Sequence, residues 1–385
     1  MSPKWKSWFR VMPAPEVNVA SARDRSEPSL SEVLLMLFAM FAVHLLIVSR
    51  VRNFWDVTLA WGDNQDYLAI SSVISNWHFS GGVRPDGFWG FPYAIAGISK
   101  VFSVPELMAL VIASMLASVA TCVLVHRSYG GWVAAAFIFV NYEWIQLSVE
   151  GGSEPLFMCL LYASFLAARS SRWNLAALLA SLSTTVRPTG VFALLAFAAV
   201  LAMRRSYRQL ALITLIGAGI GILYFAPVWM LLGSPFGSFI AYRGGWGTHW
   251  WPLTYPFSPW VLSFLRDLYG NVRWYTLTWS AVWPVVASVG AISMWLPHNR
   301  QKFSGLQHET LFASMYTLFY LSYPERALDF ALSRFLVPVL PLLLFSLRGW
   351  IPRDRRVLWG AAVLSALLSC SALVHFRNVF GFKLP

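Results

Sequence analysis

The residues most able to carry chemistry lie in a short acidic segment near the N-terminus. Residues 62–67 read Gly-Asp-Asn-Gln-Asp-Tyr, which places Asp63 and Asp66 three positions apart and Tyr67 directly after them. A carboxylate that is partly shielded from water can act as a general base and remove a proton from a hydroxyl group. The same spacing also suits a helix start, where acidic side chains cap the first turn and favour the helix dipole. The spacing alone leaves both interpretations open.

The composition places this segment in a membrane protein. The chain is 57% hydrophobic and 12% charged, with a mean hydropathy of +0.58, whereas soluble domains carry roughly 25% charged residues. In water such a chain would expose aggregating apolar patches, which excludes a cytosolic enzyme, a disordered protein and a secreted disulfide scaffold. The net charge of +12 comes from short basic clusters between apolar runs, as the positive-inside rule requires. We therefore expect no nucleic-acid partner.

The apolar runs predict an all-α polytopic protein with about 11 transmembrane helices, within a range of 10–12. The predicted spans lie near residues 31–49, 105–125, 131–149, 154–168, 173–186, 188–203, 209–232, 276–296, 310–323, 334–347 and 357–375. Basic residues fall in every second loop, which predicts a cytoplasmic N-terminus and an outer C-terminus. The first apolar run starts late and lacks a small-residue cleavage site, so we expect it to remain as an anchor. The expected organisation is a cytoplasmic tail, 1–30, and a single transmembrane domain, 31–385.

Two longer loops on the predicted outer face do not fit a span. In the loop at about 50–104, apolar residues follow the acidic segment at helical spacing: Tyr67, Ile70, Ile74 and Trp77. This pattern predicts an amphipathic helix at the membrane interface, and a second one is expected near 88–102. The other loop, at about 233–275, contains Trp246 and His249 among many aromatic residues, which are typical of the headgroup region. Its length exceeds that of a connector and indicates a function.

Five short motifs occur in order between residues 55 and 345. They are Asp63 four positions before Tyr67, Phe-Pro-Tyr at 91–93, Ser-Glu-Pro-Leu-Phe at 153–157, Arg-Pro-Thr-Gly at 187–190, and Ser-Arg-Phe at 333–335 followed by prolines at 338 and 341. In this order and spacing the chain resembles the integral-membrane GT-C glycosyltransferases. Among them it is most similar to the PIG-V-like mannosyltransferases, which add the second mannose to GPI anchors, and to their bacterial relatives.

The resemblance implies a GT-C type fold and an inverting glycosyl transfer. The donor would be a sugar, with mannose expected, on a polyprenyl-phosphate carrier, and the acceptor a lipid, glycan or protein at the outer or lumenal membrane face. Asp63 would be the catalytic base. Asp66 would support it, bind sugar hydroxyls or stabilise the helix start, and Tyr67 would contact substrate. Because the short cytoplasmic loops leave no room for a nucleotide-binding domain, we do not expect a nucleotide-sugar donor. The compact size and the lack of a retrieval signal favour a bacterial plasma membrane over the endoplasmic reticulum.

The resemblance also suggests which residues bind substrate. Arg187 and Arg334 stand where spans meet the outer face, and arginine can hold phosphate oxygens with paired hydrogen bonds; the alternative is that each snorkels to the interface. Glu154 either stabilises a helix N-terminus or binds a sugar hydroxyl or the acceptor. Trp246 and His249 would shape the acceptor pocket, or His249 would only anchor its loop.

The sequence also bears on metal binding and on alternative functional classes. No zinc-ligand spacing is present, and we expect no required metal or other cofactor, although Asp63 and Asp66 could hold a hard divalent cation with phosphate oxygens. The alternative function is a transporter or flippase of a lipid-linked or anionic substrate, which would place ionisable groups at mid-membrane and use paired broken helices. A third possibility is a non-catalytic subunit. The acidic residues cluster at one face, which favours an enzyme.

Overall fold

The computed structural model describes residues 27–60, 63–77, 88–234, 237, 255–258, 261, 274–322 and 334–379, and all regular elements in these residues are helical. The α-helices are α1 (Leu30–Val51), α2 (Phe54–Ala60), α3 (Asn64–Asn76), α4 (Gly90–Phe102), α5 (Glu106–Tyr129), α6 (Gly131–Val140), α7 (Glu143–Val149), α8 (Glu154–Arg169), α9 (Trp173–Val186), α10 (Val191–Met203), α11 (Tyr207–Leu232), α12 (Trp274–Trp295), α13 (Pro297–Phe303), α14 (Gln307–Leu321), α15 (Leu340–Ser346) and α16 (Arg355–Val379). Short 3₁₀ turns occur at Pro188–Gly190, Arg334–Leu336 and Arg348–Trp350. The all-α prediction is confirmed.

Three of the described helices are long and apolar enough to cross a membrane. They cover Leu30–Val51, Glu106–Tyr129 and Tyr207–Met230, and the bent pair α6–α7 gives a fourth if it counts as one span. Shorter apolar helices lie at Trp173–Val186, Pro188–Met203 and Val282–Trp295. These apolar helices support a multi-pass membrane protein, whereas the total of about 11 transmembrane helices stays a prediction. The two expected amphipathic helices are present as α3 and α4.

Two predicted spans are not continuous helices. The run at 131–149 bends by 85° between α6 and α7. Asn141 ends α6 in an extended conformation, and its side-chain oxygen accepts a hydrogen bond from the Glu143 N–H at 3.0 Å, which starts α7. Asparagine competes in this way with helical hydrogen bonds. The run at 334–347 begins as a 3₁₀ turn, and its α-helix covers only Leu340–Ser346.

Helix α8 lies at the centre of the fold, packed against α5 and α9. Its aromatic side chains are fully buried, and Phe165 makes edge contacts with Phe197 and Phe312 at ring-centroid distances of 6.1 and 5.3 Å. In a membrane, helix association depends on close packing of this kind because lipid tails are as apolar as the side chains. The core therefore fixes both ends of α8, and its first residue, Glu154, belongs to the site described next.

Candidate active site

Four charged side chains from separate parts of the chain meet at the N-terminal end of α8. Glu154 Oε1 accepts hydrogen bonds from Arg187 Nη2 and from Arg334 Nε. Arg334 also reaches Asp63, with 3.4 Å between Nη2 and Oδ2. The structure thus brings together Asp63, Glu154, Arg187 and Arg334, which the sequence alone left scattered over 271 positions.

Glu154 is placed by a tight turn between α7 and α8. Gly151 has a φ of +96°, and a Cβ there would lie 1.7 Å from Leu110 Cδ2, so both the backbone and the space require glycine. The N–H of Gly152 then bonds to the Leu147 carbonyl at 2.7 Å, and α8 starts with Pro155 in its first turn. Glu154 has no exposed surface. A buried carboxylate is tolerated only when it is paired, and the two arginines meet that need.

Arg187 is placed by the proline that follows it. A residue before proline avoids the helical region, and Arg187 is extended, with φ −144° and ψ 128°, at the point where α9 ends. Its guanidinium therefore lies at the tip of the α9–α10 hairpin, where it bonds to Glu154 and stacks 5.9 Å from the Phe335 ring centroid. Helix α4 packs against the same tip because Gly90 has no side chain: a Cβ there would lie 2.5 Å from Thr185.

Arg334 stands in the 3₁₀ turn rather than in a helix. The backbone of this turn is held by two tyrosines: Tyr316 Oη donates to the Phe335 carbonyl at 2.8 Å, and Tyr162 Oη donates to the Pro338 carbonyl at 3.0 Å. Both tyrosines are buried. The turn thus presents the Arg334 guanidinium toward Glu154 from a fixed backbone.

Asp63 occupies the N-cap position of α3, but its side chain makes no capping hydrogen bond. The helix-capping interpretation therefore does not describe this carboxylate, which is 54% exposed and faces Arg334. Tyr67, one turn later, is buried and donates to Ser153 Oγ at 3.1 Å. Its burial first, and the negative charge of Asp63 second, raise the pKa of Tyr67 above its usual range, so its hydroxyl stays a neutral donor.

The electrostatics of the cluster separate one carboxylate from the other. Glu154 is fully buried and shared by both guanidiniums, which are themselves only 14% and 13% exposed. Asp63 is 54% exposed and has a long contact of 3.4 Å with Arg334. Chemically, Glu154 can orient the arginines, the arginines can hold an anion, and Asp63 can accept a proton.

The remaining predicted site residues are less well defined by the structure. Asp66 lies half-buried in the first turn of α3. Trp246 and His249 lie outside the described residues. In the part of the chain that the structure describes, no three His, Cys, Asp or Glu side chains come close enough to hold a metal ion. A cation held by Asp63 and Asp66 with phosphate oxygens therefore stays a prediction.

Sequence reasoning missed two polar residues of the site. Ser153 accepts from Tyr67 and also lies 3.4 Å from Arg187 Nε, so it joins α3 to the arginine. Asn64 is fully buried beside Asp63. Ser153 stood within one of the five motifs, and Asn64 within the acidic segment, but small polar residues are too common in turns for their type alone to indicate a role.

Comparisons with known proteins support the fold. No protein-family model matches the sequence, and no curated protein matches it. Among solved structures, the chain is similar to ArnT from Cupriavidus metallidurans, which was crystallised bound to undecaprenyl phosphate. The TM-score is 0.52 at 15% identity, over 92% of this chain and 66% of ArnT. The chain thus spans about two thirds of that protein's length. At this identity the likeness shows a shared fold with ArnT and does not test the PIG-V-like branch.

Proposed function

We propose that the protein is an inverting GT-C glycosyltransferase that moves a sugar from a polyprenyl-phosphate carrier to a lipid, glycan or protein acceptor. The observation that carries the proposal is the contact of Asp63, a half-exposed carboxylate, with Arg334, whose guanidinium shares Glu154 with that of Arg187. This is the pairing of a proton acceptor with an anion site that such a transfer needs. The likeness to ArnT, whose structure contains undecaprenyl phosphate, supports a lipid-phosphate donor.

In the proposed reaction, Asp63 takes the proton of the acceptor hydroxyl as its oxygen attacks the anomeric carbon of the sugar. The bond between that carbon and the phosphate oxygen breaks, the phosphate keeps the electron pair, and the configuration at the carbon inverts. General base catalysis of this kind contributes about 10²–10⁴-fold to a rate.

The departing phosphate needs permanent positive charge, which arginine supplies at any working pH. Arg334 is anchored to Glu154 through Nε, so its Nη2 can exchange the 3.4 Å contact with Asp63 for a phosphate oxygen. That exchange releases the Asp63 carboxylate from Arg334 when the donor binds, so that Asp63 is available to the acceptor hydroxyl. Glu154 takes no part in the chemistry and keeps both guanidiniums in place.

The finer features of the proposal come from the sequence. Mannose is the proposed sugar, Asp66, Trp246 and His249 are proposed contacts for the sugar or acceptor, and no metal is required. The active site is proposed to face the outer side of a bacterial plasma membrane, with the N-terminus in the cytoplasm and the outer loops near 50–104 and 233–275 around the site.

Sugar transfer by the purified protein in liposomes tests this proposal. Polyprenyl-phosphate-mannose and GDP-mannose are compared as donors, each with Asp63→Asn beside the wild type. Asp56→Asn is the matched control, because Asp56 is also an exposed aspartate near a helix start, on α2. We expect transfer from the lipid donor alone, lowered about 10³-fold by Asp63→Asn and unchanged by Asp56→Asn.

Three other results would contradict the proposal in different ways. Transfer from GDP-mannose would overturn the donor class. Transfer that survives Asp63→Asn would remove the base from the mechanism. No transfer with several polyprenyl-phosphate sugars would favour the transporter or flippase alternative.

A further inference from the structure

Asn64 follows Asp63 directly in the chain but differs from it in exposure and in hydrogen bonding. Asp63 is half-exposed, whereas Asn64 is fully buried at the first position of α3. Its amide nitrogen donates to the Thr58 carbonyl and to the Glu150 carbonyl, each at 2.7 Å. A carboxamide has two N–H donors, and both are used on backbone oxygens. Asn64 therefore ties the start of α3 to α2 and to the turn that precedes Glu154.

Glu150, whose carbonyl Asn64 binds, belongs to a buried hydrogen-bonded network. Glu150 Oε1 lies 2.9 Å from His44 Nε2, and His44 Nδ1 lies 2.7 Å from Ser369 Oγ. Gln146 Nε2 donates to the Ser369 carbonyl at 2.8 Å. These side chains are at most 4% exposed and join α1, α7 and α16. A buried hydrogen-bonded network of this kind rigidifies the elements that contribute to it.

The same turn is held from its other side. Ser114 Oγ, on α5, donates to the Gly152 carbonyl at 2.8 Å. Ser153 and Glu154 follow at once, so the arginine-binding carboxylate is fixed to α5. Asn64 fixes Asp63 to this same turn, because adjacent Cα atoms are only about 3.8 Å apart.

From these contacts we infer that Asn64 is a positioning residue that sets the place of Asp63 relative to Glu154 and Arg334. The inference rests on the proposed function for its kinetic consequence, and on geometry alone for its structural one. A displacement of about 1 Å at a reacting group costs roughly 10²-fold in rate. Losing both tethers at the start of α3 should therefore lower kcat without weakening the arginines that bind the donor.

The kinetic test compares Asn64→Ala with Asn299→Ala. Asn299 is a matched control, because it is 1% exposed and its amide also donates to backbone carbonyls, of Ser293 at 3.0 Å and Ser346 at 3.4 Å, but outside the charged cluster. We expect Asn64→Ala to lower kcat about 10²-fold, with the KM for polyprenyl-phosphate-mannose within about twofold. Asn299→Ala should lower the thermal midpoint by a similar amount and leave kcat unchanged. Equal kcat in wild type and Asn64→Ala, or equal losses in both variants, would overturn the inference.

A milder pair of variants decides the question if Asn64→Ala does not fold. Ser114→Ala removes the bond to the Gly152 carbonyl and loosens the same turn. Ser181→Ala is its control, because Ser181 Oγ donates to the Ala177 carbonyl within its own helix. A drop in kcat of about threefold or more in Ser114→Ala alone supports a positioned turn. Equal kcat in the two serine variants would overturn the inference that this turn positions the site.

A distance measurement separates this inference from the proposed function. Spin labels are attached to Asp63→Cys and to Ser170→Cys, an exposed position just beyond α8, in a chain whose three native cysteines are serine. Pulsed electron paramagnetic resonance should give one narrow distribution of the distance between the two labels. We expect Asn64→Ala to broaden this distribution and Asn299→Ala to leave it narrow. An unchanged width would overturn the positioning role even in a protein with no transferase activity. If the wild type transfers no sugar but Asn64→Ala still broadens the distance distribution, only the proposed function would be overturned.

Discussion

Helix α8 has an arginine–glutamate ion pair at each end, and the two ends differ in how many charges meet. At the N-terminal end, Glu154 is shared by Arg187 and Arg334. At the C-terminal end, roughly 24 Å away for 16 residues, Arg169 Nε donates to Glu309 Oε1 at 2.6 Å. Both glutamates have no exposed surface. The same buried chemistry therefore occurs twice on one helix.

The ion pair of Glu309 is surrounded by a histidine and by aromatic side chains. His308 Nε2 lies 3.1 Å from Glu309 Oε2, and the His308 ring packs among Phe165, Trp173 and Phe197. Exposure of the arginines does not distinguish the two ends, because Arg169 is 20% exposed and Arg334 is 13%. The difference is that the N-terminal end has a second guanidinium and a carboxylate, Asp63, that reaches water. The C-terminal pair links two helices, whereas the N-terminal cluster has a second guanidinium that can exchange its contact with Asp63 for a ligand anion.

The largest expected contrast is between Glu154→Gln and Glu309→Gln. Each removes one buried negative charge and should destabilise the protein by about 3 kcal/mol. Only Glu154→Gln should also lower kcat, by roughly 10²-fold, because the two guanidiniums lose their common anchor. The donor KM should not rise, since the site becomes more positive. Initial rates per folded molecule and unfolding curves in detergent measure both effects, and an equal loss of kcat in Glu309→Gln would erase the contrast.

A smaller contrast is expected between Arg334→Lys and Arg169→Lys. Lysine keeps the charge but cannot present two parallel donors to a phosphate or carboxylate. We expect Arg334→Lys to raise the KM for the lipid donor roughly tenfold. This change corresponds to a loss of about 1.4 kcal/mol of hydrogen bonding to the donor. Arg169→Lys should leave donor KM at the wild-type value. Donor saturation curves for both variants check this, and a matching KM increase in Arg169→Lys would show that the second guanidinium is not what distinguishes the ends.

The smallest contrast concerns the tyrosine beside each ion pair. Tyr67→Phe removes the hydrogen bond to Ser153, worth about 1 kcal/mol or roughly fivefold in rate. Because burial raises the pKa of Tyr67, its phenol is neutral below pH 10, and the loss should be the same at every pH from 6 to 9. Tyr129→Phe, at the ring that stacks 5.1 Å from Arg169, should leave the rate unchanged. A rate loss in Tyr67→Phe that varies across this pH range would contradict a neutral donor.

Much of the helical framework could be predicted from hydropathy. The run at 173–186 coincides with α9 residue for residue, and α11 starts two residues before the run at 209–232. The break at Asn141 could not be predicted, because the residues on both sides of it are apolar enough to form one span. Arg334 was expected at the start of a helix and lies in a 3₁₀ turn, since tyrosines of other helices hold its backbone.

The charged members of the site were predictable from the sequence, but their contacts were not. Asp63, Glu154, Arg187 and Arg334 stand out in the sequence because charges are rare beside apolar runs. Their hydrogen bonds depend on the packing of α3, α8, α9 and the 3₁₀ turn, which no local pattern encodes. The shared role of Glu154 is an example, because a glutamate at a helix start is equally well explained by the helix dipole. Their functional roles remain predictions.

The long sequence separation within the Glu154 cluster has a consequence for how the protein is made. Arg187 follows Glu154 by 33 residues, whereas Arg334 follows it by 180. At about 5–20 residues per second, the ribosome delivers the second arginine roughly 10–40 s after the glutamate. During that interval the carboxylate has one partner at most, and α8 has no complete neighbourhood at this end. The segment that carries Arg334 is therefore needed to finish a structure begun near residue 154. A nascent chain stopped before Arg334 holds Glu154 with Arg187 alone and lacks the second of its two guanidinium partners.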